Sequence, residues 1–331
     1  VLPRKPASKA ARAAAVKNAD DAELQALDVG LNVDVALDDA LFDDRVAEMI
    51  ADATDPVDDA VDSTSTAIED AVRRDDYSEG LIGLASEVIA ARIHLLGNAY
   101  PFELNGNRMR YIGSKTYVYE FCLAASNVSN IADTPFRPAL MLFEQLSGLV
   151  MSCFLGSTGQ YHHTGYPGSG VTIGGHLPTL NAVMPQEWRW DSETLKQKTN
   201  DGGVDVVVWK RADDRQDVGS LIFVGNAGCG KNWNDRGKHR ERPSDALDLI
   251  LSRPKSRHLH DFLSLPFHIY DVDEWIEASD EGRFVLDRIR LAAIAEVQEA
   301  EIWKRETSKL ALPLPDAVRL LHPTANIPQA N

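Results

Sequence analysis

The sequence predicts a mixed α/β fold, a small mixed central sheet flanked by helices, preceded by a helical acidic N-terminal region. Three observations predict it. Two β-branched runs, DGGVDVVVW at 201–209 and SLIFVG at 220–225, are joined by the turn-like RADDRQDVG, the pattern of adjacent buried strands. On both sides of that pair the apolar spacing is helical, in FRPALMLFEQLSGLVMSCF at 136–154 and in RFVLDRIRLAAIAEVQEAEIWKRE from 283. The 331 residues are 44% apolar and 25% charged, the composition of a globular chain with room for one large domain or two ordinary ones. Helices that bury one stripe against a sheet give the layered arrangement.

The elements follow in order. Residues 1–18, VLPRKPASKAARAAAVKN, read as a flexible basic tail. In 36–54, Leu41, Val46, Met49 and Ile50 fall on one stripe of an amphipathic helix that Pro56 stops, and a second helical pattern covers 57–74. A third and more apolar one, EGLIGLASEVIAARIHLLG, ends at Gly97. Asn105-Gly106, between segments rich in Tyr, Phe and Val, predicts a hairpin. The helix over 136–154 leads into a Gly-rich aromatic loop, GSTGQYHHTGYPGSG, and the chain after Pro254 reads as mostly helical. The expected organisation is a tail at 1–18, an acidic helical region at 19–98, a hairpin and linker at 99–135, an α/β core at 136–265 and a C-terminal helical region at 266–331.

A net charge of -16 argues against a polyanionic partner, but the charge is unevenly spread. Residues 18–79 hold 20 Asp and Glu against three Arg, which leaves 30 acids and 31 bases elsewhere. Residues 229–260 hold eight Lys and Arg against four acids, with three His besides. The acidic stretch reads either as solvated helix faces or as a module that docks a protein partner. Cys122, Cys153 and Cys229 are odd in number and far apart, which fits a reducing cytoplasm better than a disulfide framework. With no apolar run near the roughly 18 to 20 residues of a membrane span, no membrane association is expected.

The chemistry concentrates on the two central strands. Asp205 lies among Val204, Val206, Val207 and Val208, where an uncompensated carboxylate is costly to bury. The next strand delivers Asn226-Ala-Gly-Cys-Gly-Lys231 and then a polar, basic run. A carboxylate to hold Mg²⁺, with a Lys to orient the activated water, is the layout of metal-assisted phosphodiester hydrolysis.

With Phe143-Glu144 on a helix, Gly203-Val204-Asp205-Val206 on one strand and a second strand running to Lys231, the sequence resembles the PD-(D/E)XK nuclease superfamily, most closely its Mrr-like restriction endonuclease branch. The resemblance covers residues 136–240. It implies a restriction-endonuclease-like core and an active site of helix Glu, strand Asp, a Glu or Gln on the next strand, and Lys. Here those positions are Glu144, Asp205, Asn226 or Cys229, and Lys231. Glu144, Asp205 and Asn226 are then the metal ligands, Mg²⁺ the cofactor with Mn²⁺ as an alternative, and DNA the substrate, cut in restriction or antiviral defence. Lys238, Arg240, Arg242 and Arg257 are expected to hold the phosphate backbone, and a cytoplasmic homo-oligomer is expected.

Two features depart from the family pattern. Cys229 stands two before Lys231 where a Glu or Gln belongs, and 61 residues separate Glu144 from Asp205, enough for an inserted loop holding His162 and His163. Two rival readings exist. Gly225–Lys231 satisfies the G-x-x-x-x-G-K of a phosphate-binding loop, although Asn232 replaces the Ser or Thr that would bind Mg²⁺. The other is a non-catalytic interaction protein with a degenerate nuclease fold. His162, His163 and His176 invite a zinc site, but adjacent extended residues point to opposite sides and no Cys pair accompanies them.

Overall fold

The computed structural model describes residues 9–37, 80, 82–128, 134–165, 173–183, 203–211, 220–229, 242–248 and 259–328. The chain divides into two units, residues 1–113 with 324–328, and residues 114–323 with 329–331.

In the first unit, helix α1 (Lys9–Val29) takes up half of what reads as a flexible tail. Ala15, Ala19, Ala22 and Ala26 recur at helical spacing and are buried together with Leu27, so small side chains with high helix propensity form the contact face. A second helix, α2 (82–96), runs into a 3-10 turn at Gly97–Ala99, close to its expected end. Fully buried Arg92 donates to Glu23 and Asp20, each at 2.7 Å, and the Tyr100 hydroxyl donates to Glu23 at 2.5 Å. Strands β1 (Asp34–Ala36), β2 (Phe102–Asn105) and β3 (Arg108–Tyr111) form an antiparallel sheet in the order β1-β3-β2. The expected hairpin is β2–β3, and Gly106 supplies its left-handed turn residue at φ 62°. The helices expected over 36–54 and 57–74 lie outside the described residues, apart from Ala36 and Leu37.

The second unit contains α3 (Val118–Asn127), α4 (Arg137–Phe154), β4 (Gly159–His163), α5 (Ile173–Val183), β5 (Val206–Lys210) and β6 (Leu221–Ala227). It continues with α6 (Pro243–Asp248), β7 (Leu259–Ser264), α7 (Val272–Ala278), β8 (Phe284–Leu286), α8 (Arg288–Glu296), α9 (Ala300–Thr307) and α10 (Leu314–Leu321). The five strands form one mixed sheet in the order β4-β5-β6-β7-β8. The first three are antiparallel neighbours, whereas β7 lies parallel to both β6 and β8. A parallel step needs a crossover, and α6 lies within the one from β6 to β7.

Helix α4 packs on one face of β4 and β5, and Gly148 permits the approach because a Cβ there would overlap Val206 and Tyr161. On the other face Leu177 and Leu180 of α5 and Leu247 of α6 cover Val207, Trp209, Ile222, Val224 and Leu259. Burial on both faces explains why Val206–Trp209 of β5 are apolar in succession rather than alternating.

Several expectations are corrected here. The Gly-rich loop after α4 contains β4, whose polar Gln and His residues hide a strand. The region expected as hairpin and linker, 99–135, also contains helix α3 from Val118; it is buried on all sides, which erases the amphipathic period. After Pro254 the chain supplies β7 and β8, and the expected long helix from 283 is β8, α8 and α9. Asp287 ends the strand and starts α8, its carboxylate accepting from the Arg290 N–H at 3.0 Å. Among the described residues, no helix is long and apolar enough to cross a membrane.

Candidate active site

Asp205 lies one residue before β5, where Val206 pairs with Gly225 of β6. Its N–H donates to the Gly225 carbonyl at 3.0 Å, and its carboxylate accepts from the Ala227 N–H at 2.7 Å. The charge is thus half-buried against the end of the third strand, with a backbone donor to offset the lost hydration. Next to it on β6, Asn226 has a buried Oδ1 with no hydrogen-bond partner. Gly225, Asn226 and Ala227 continue the strand opposite Phe262, Leu263 and Ser264 of β7, and the Phe262 ring fills the space a Gly225 side chain would need. A loop cradling phosphates could therefore start no earlier than Gly228 on this strand.

Glu144 comes from α4 and is 7% exposed. Its Oε2 lies 2.5 Å from Nε2 of His163, the last residue of β4. Immediately after His163, the N–H groups of Thr164 and Gly165 both donate to the Asp205 carbonyl, at 2.8 and 2.9 Å. A Cβ on Gly165 would overlap the Glu144 carboxylate. Glu144 and Asp205 therefore meet on one three-residue segment despite their separation in sequence. Cys229 lies in the same surroundings. Burial pushes its thiol well above the usual range, and the nearby Glu144 and Asp205 carboxylates push it the same way. A thiol is a soft ligand poorly matched to a hard cation, whereas the Asn226 amide offers an oxygen.

His162 points the other way, its Nε2 lying 3.0 Å from Nδ1 of His176. Burial, with the neighbouring His176 and His163, pushes its pKa down to about 4, so the ring is neutral at pH 7. A cavity of about 960 Å³ runs past His163 and along β4 and α9, with Tyr161, Arg305 and Lys309 on its walls. Glu306 pairs with Lys309 at 2.5 Å and with Arg305 at 3.0 Å, so the basic groups there are locally balanced.

Of the expected phosphate contacts, Arg242 has a different partner: its Nε donates to Asp261 at 2.8 Å. Asp261 is 2% exposed on β7 and also accepts from the Ser244 N–H and hydroxyl at the start of α6. The guanidinium offsets the deep burial of that carboxylate, so Arg242 supports the sheet-to-helix junction while its side chain stays one-third exposed. Lys231, Lys238, Arg240 and Arg257 lie outside the described residues.

No family model, curated protein or solved structure matches this chain. The site itself is the guide to its chemistry. Among the described residues, no three His, Cys, Asp or Glu side chains form a group able to hold a metal ion, and the donors expected from the sequence are the Glu144 and Asp205 carboxylates and the Asn226 amide. That donor set is all oxygen, as Mg²⁺ and Mn²⁺ require, and the partnerless buried Asn226 Oδ1 has an unused acceptor to offer. By this chemistry the residues fit a hard divalent cation. His163, Thr164 and Gly165 have no signature in single-sequence reading; the one available signal, two adjacent His followed by Thr-Gly, suggests zinc instead.

Proposed function

We propose that this chain is a Mg²⁺-dependent endonuclease of the PD-(D/E)XK type, with a restriction-endonuclease-like core, hydrolysing phosphodiester bonds of DNA in restriction or antiviral defence. The observation that carries this reading is that one segment, His163–Gly165, binds both the helix carboxylate of Glu144 and the main-chain carbonyl of Asp205, the residue whose own carboxylate lies at the end of β6. The order of helix Glu, strand Asp and next-strand Asn226 agrees with the order the family resemblance implies.

Glu144, Asp205 and the Asn226 amide hold the cation. When bound, Mg²⁺ lowers the pKa of a water and offsets charge on the reacting phosphate. Lys231, four residues beyond the end of β6, orients the attacking water. Lys238, Arg240 and Arg257 contact the phosphate backbone, so binding is salt-dependent and largely indifferent to sequence. The working form is a cytoplasmic homo-oligomer, and the acidic segment at 18–79 docks a protein partner.

A supercoiled plasmid nicked by the wild-type chain with Mg²⁺ or Mn²⁺, but not with EDTA, is the expected result. Asp205→Asn should lower the rate by a factor on the order of 100 or more, the loss seen when a transition-state charge stabiliser is removed. Nicking that survives in Asp205→Asn, or absence of nicking with either ion, rejects the reading. ATP hydrolysis abolished by Lys231→Ala would favour the phosphate-loop alternative.

A further inference from the structure

We infer that His163, Thr164 and Gly165 form a positioning clamp that sets the orientation of the Glu144 carboxylate relative to Asp205, and through it the affinity of the site for its cation. The inference rests on the metal-dependent reading above.

The clamp has two jaws. On one side, His163 Nε2 and Glu144 Oε2 are hydrogen-bonded across 2.5 Å, which fixes one of the two carboxylate oxygens. On the other side, Thr164 and Gly165 donate their N–H groups to the Asp205 carbonyl, and the Thr164 hydroxyl donates to the Val204 carbonyl at 2.6 Å. Two successive carbonyls just before β5 are thereby tied to the residues just after β4. A shift of the Glu144 carboxylate, or of the backbone that carries Asp205, must break a hydrogen bond to this segment.

Gly165 is required for space. Its φ is not in the left-handed region, so the backbone would accept a side chain. A Cβ would nevertheless overlap Glu144 Oε2 and come within 3.0 Å of His163 Nε2. The obstructed group is the free end of a flexible side chain, so Gly165→Ala should displace the Glu144 carboxylate and leave the fold in place. Such a substitution tests position without changing either carboxylate. Ligands of a bound metal depend on groups that orient them, and losing such a group typically costs 10- to 100-fold in metal affinity or activity.

The experiment uses the full chain, with Mn²⁺ binding followed by the paramagnetic resonance of the free ion and plasmid cleavage measured alongside. For Gly165→Ala and His163→Ala, Mn²⁺ binding should weaken by roughly 10- to 100-fold and kcat should fall, while KM for DNA stays within about twofold. His163→Gln, which keeps an N–H donor, should recover part of the Mn²⁺ affinity. In a Glu144→Gln background, Gly165→Ala should add little, because both changes act through the same carboxylate. A thermal midpoint close to wild type shows that the fold survives. If wild type binds Mn²⁺ and cleaves DNA, and Gly165→Ala and His163→Ala do the same to the same extent, the clamp is rejected alone. Effects that add in full to Glu144→Gln also reject it. If wild type neither binds Mn²⁺ nor cleaves, the metal-dependent reading falls and the clamp with it.

Discussion

Asp287 and His162 pull stability in opposite directions across mildly acidic pH. Burial lifts the Asp287 carboxyl from 3.8 to about 6, against the N–H groups of Arg290 and Ile269 and the charges of Arg290 and Arg288. The folded chain therefore holds this proton more tightly than the unfolded one, and the stabilisation is full below 3.8 and lost as pH rises through 6. The difference is about 3 kcal/mol. His162 has the reverse sign: with its pKa lowered from 6.5 to about 4, its contribution is full above 6.5 and lost as pH falls through 4. Asp287→Asn keeps an acceptor for Arg290 but removes the proton. Urea unfolding between pH 4 and 6.5 should show its stability rising with pH more steeply than wild type. His162→Asn should rise less steeply. Parallel pH profiles for wild type and Asp287→Asn would show that the carboxyl does not titrate in this range.

Strand β6 is held close to β7 by the contact of Gly225 with the Phe262 ring. Gly225→Ala places a methyl group into that ring and should cost about 1–3 kcal/mol by overpacking. Phe262→Leu in the same chain should recover part of the loss, a coupling measurable by a double-mutant cycle in urea. A glycine needed only to approach a phosphate would gain nothing from Phe262→Leu. The strands differ in how plainly their residues announce them. Val206, Val207 and Val208 of β5 and Ile222, Phe223 and Val224 of β6 are β-branched or aromatic, which marks them as strands. Gln160, His162 and His163 of β4 have no such preference and become a strand only because β5 offers a partner. Helix α3 leaves no amphipathic signal for the opposite reason: Tyr119, Phe121 and Cys122 face a core on every side. Of the site, Glu144 and Asp205 were legible as carboxylates among apolar residues, whereas the role of Arg242 depends on Asp261, 19 residues away.

The chain crosses its own division into units, since Thr324–Pro328 belongs with the N-terminal unit. Ala325 and Ile327 are buried there, and the Asn326 N–H donates to the Leu27 carbonyl at 3.0 Å. Removing 324–331 should cost that unit about 3 kcal/mol of apolar burial. Hydrogen exchange should then quicken in α1, while β5 and β6 in the other unit keep their protection. Unchanged exchange in α1 would mean that the terminal segment contributes nothing to its stability.

The residue pattern alone determined the mixed α/β class, the helix at 137–154, the Asn-Gly hairpin and the antiparallel pair of apolar strands, because each rests on local preference and periodicity. Sheet order, the two parallel steps and the meeting of Glu144 with Asp205 through His163, Thr164 and Gly165 came only from the folded chain. Hydrogen bonds between residues tens of positions apart leave no trace in local composition; they exist once packing has brought those backbones together.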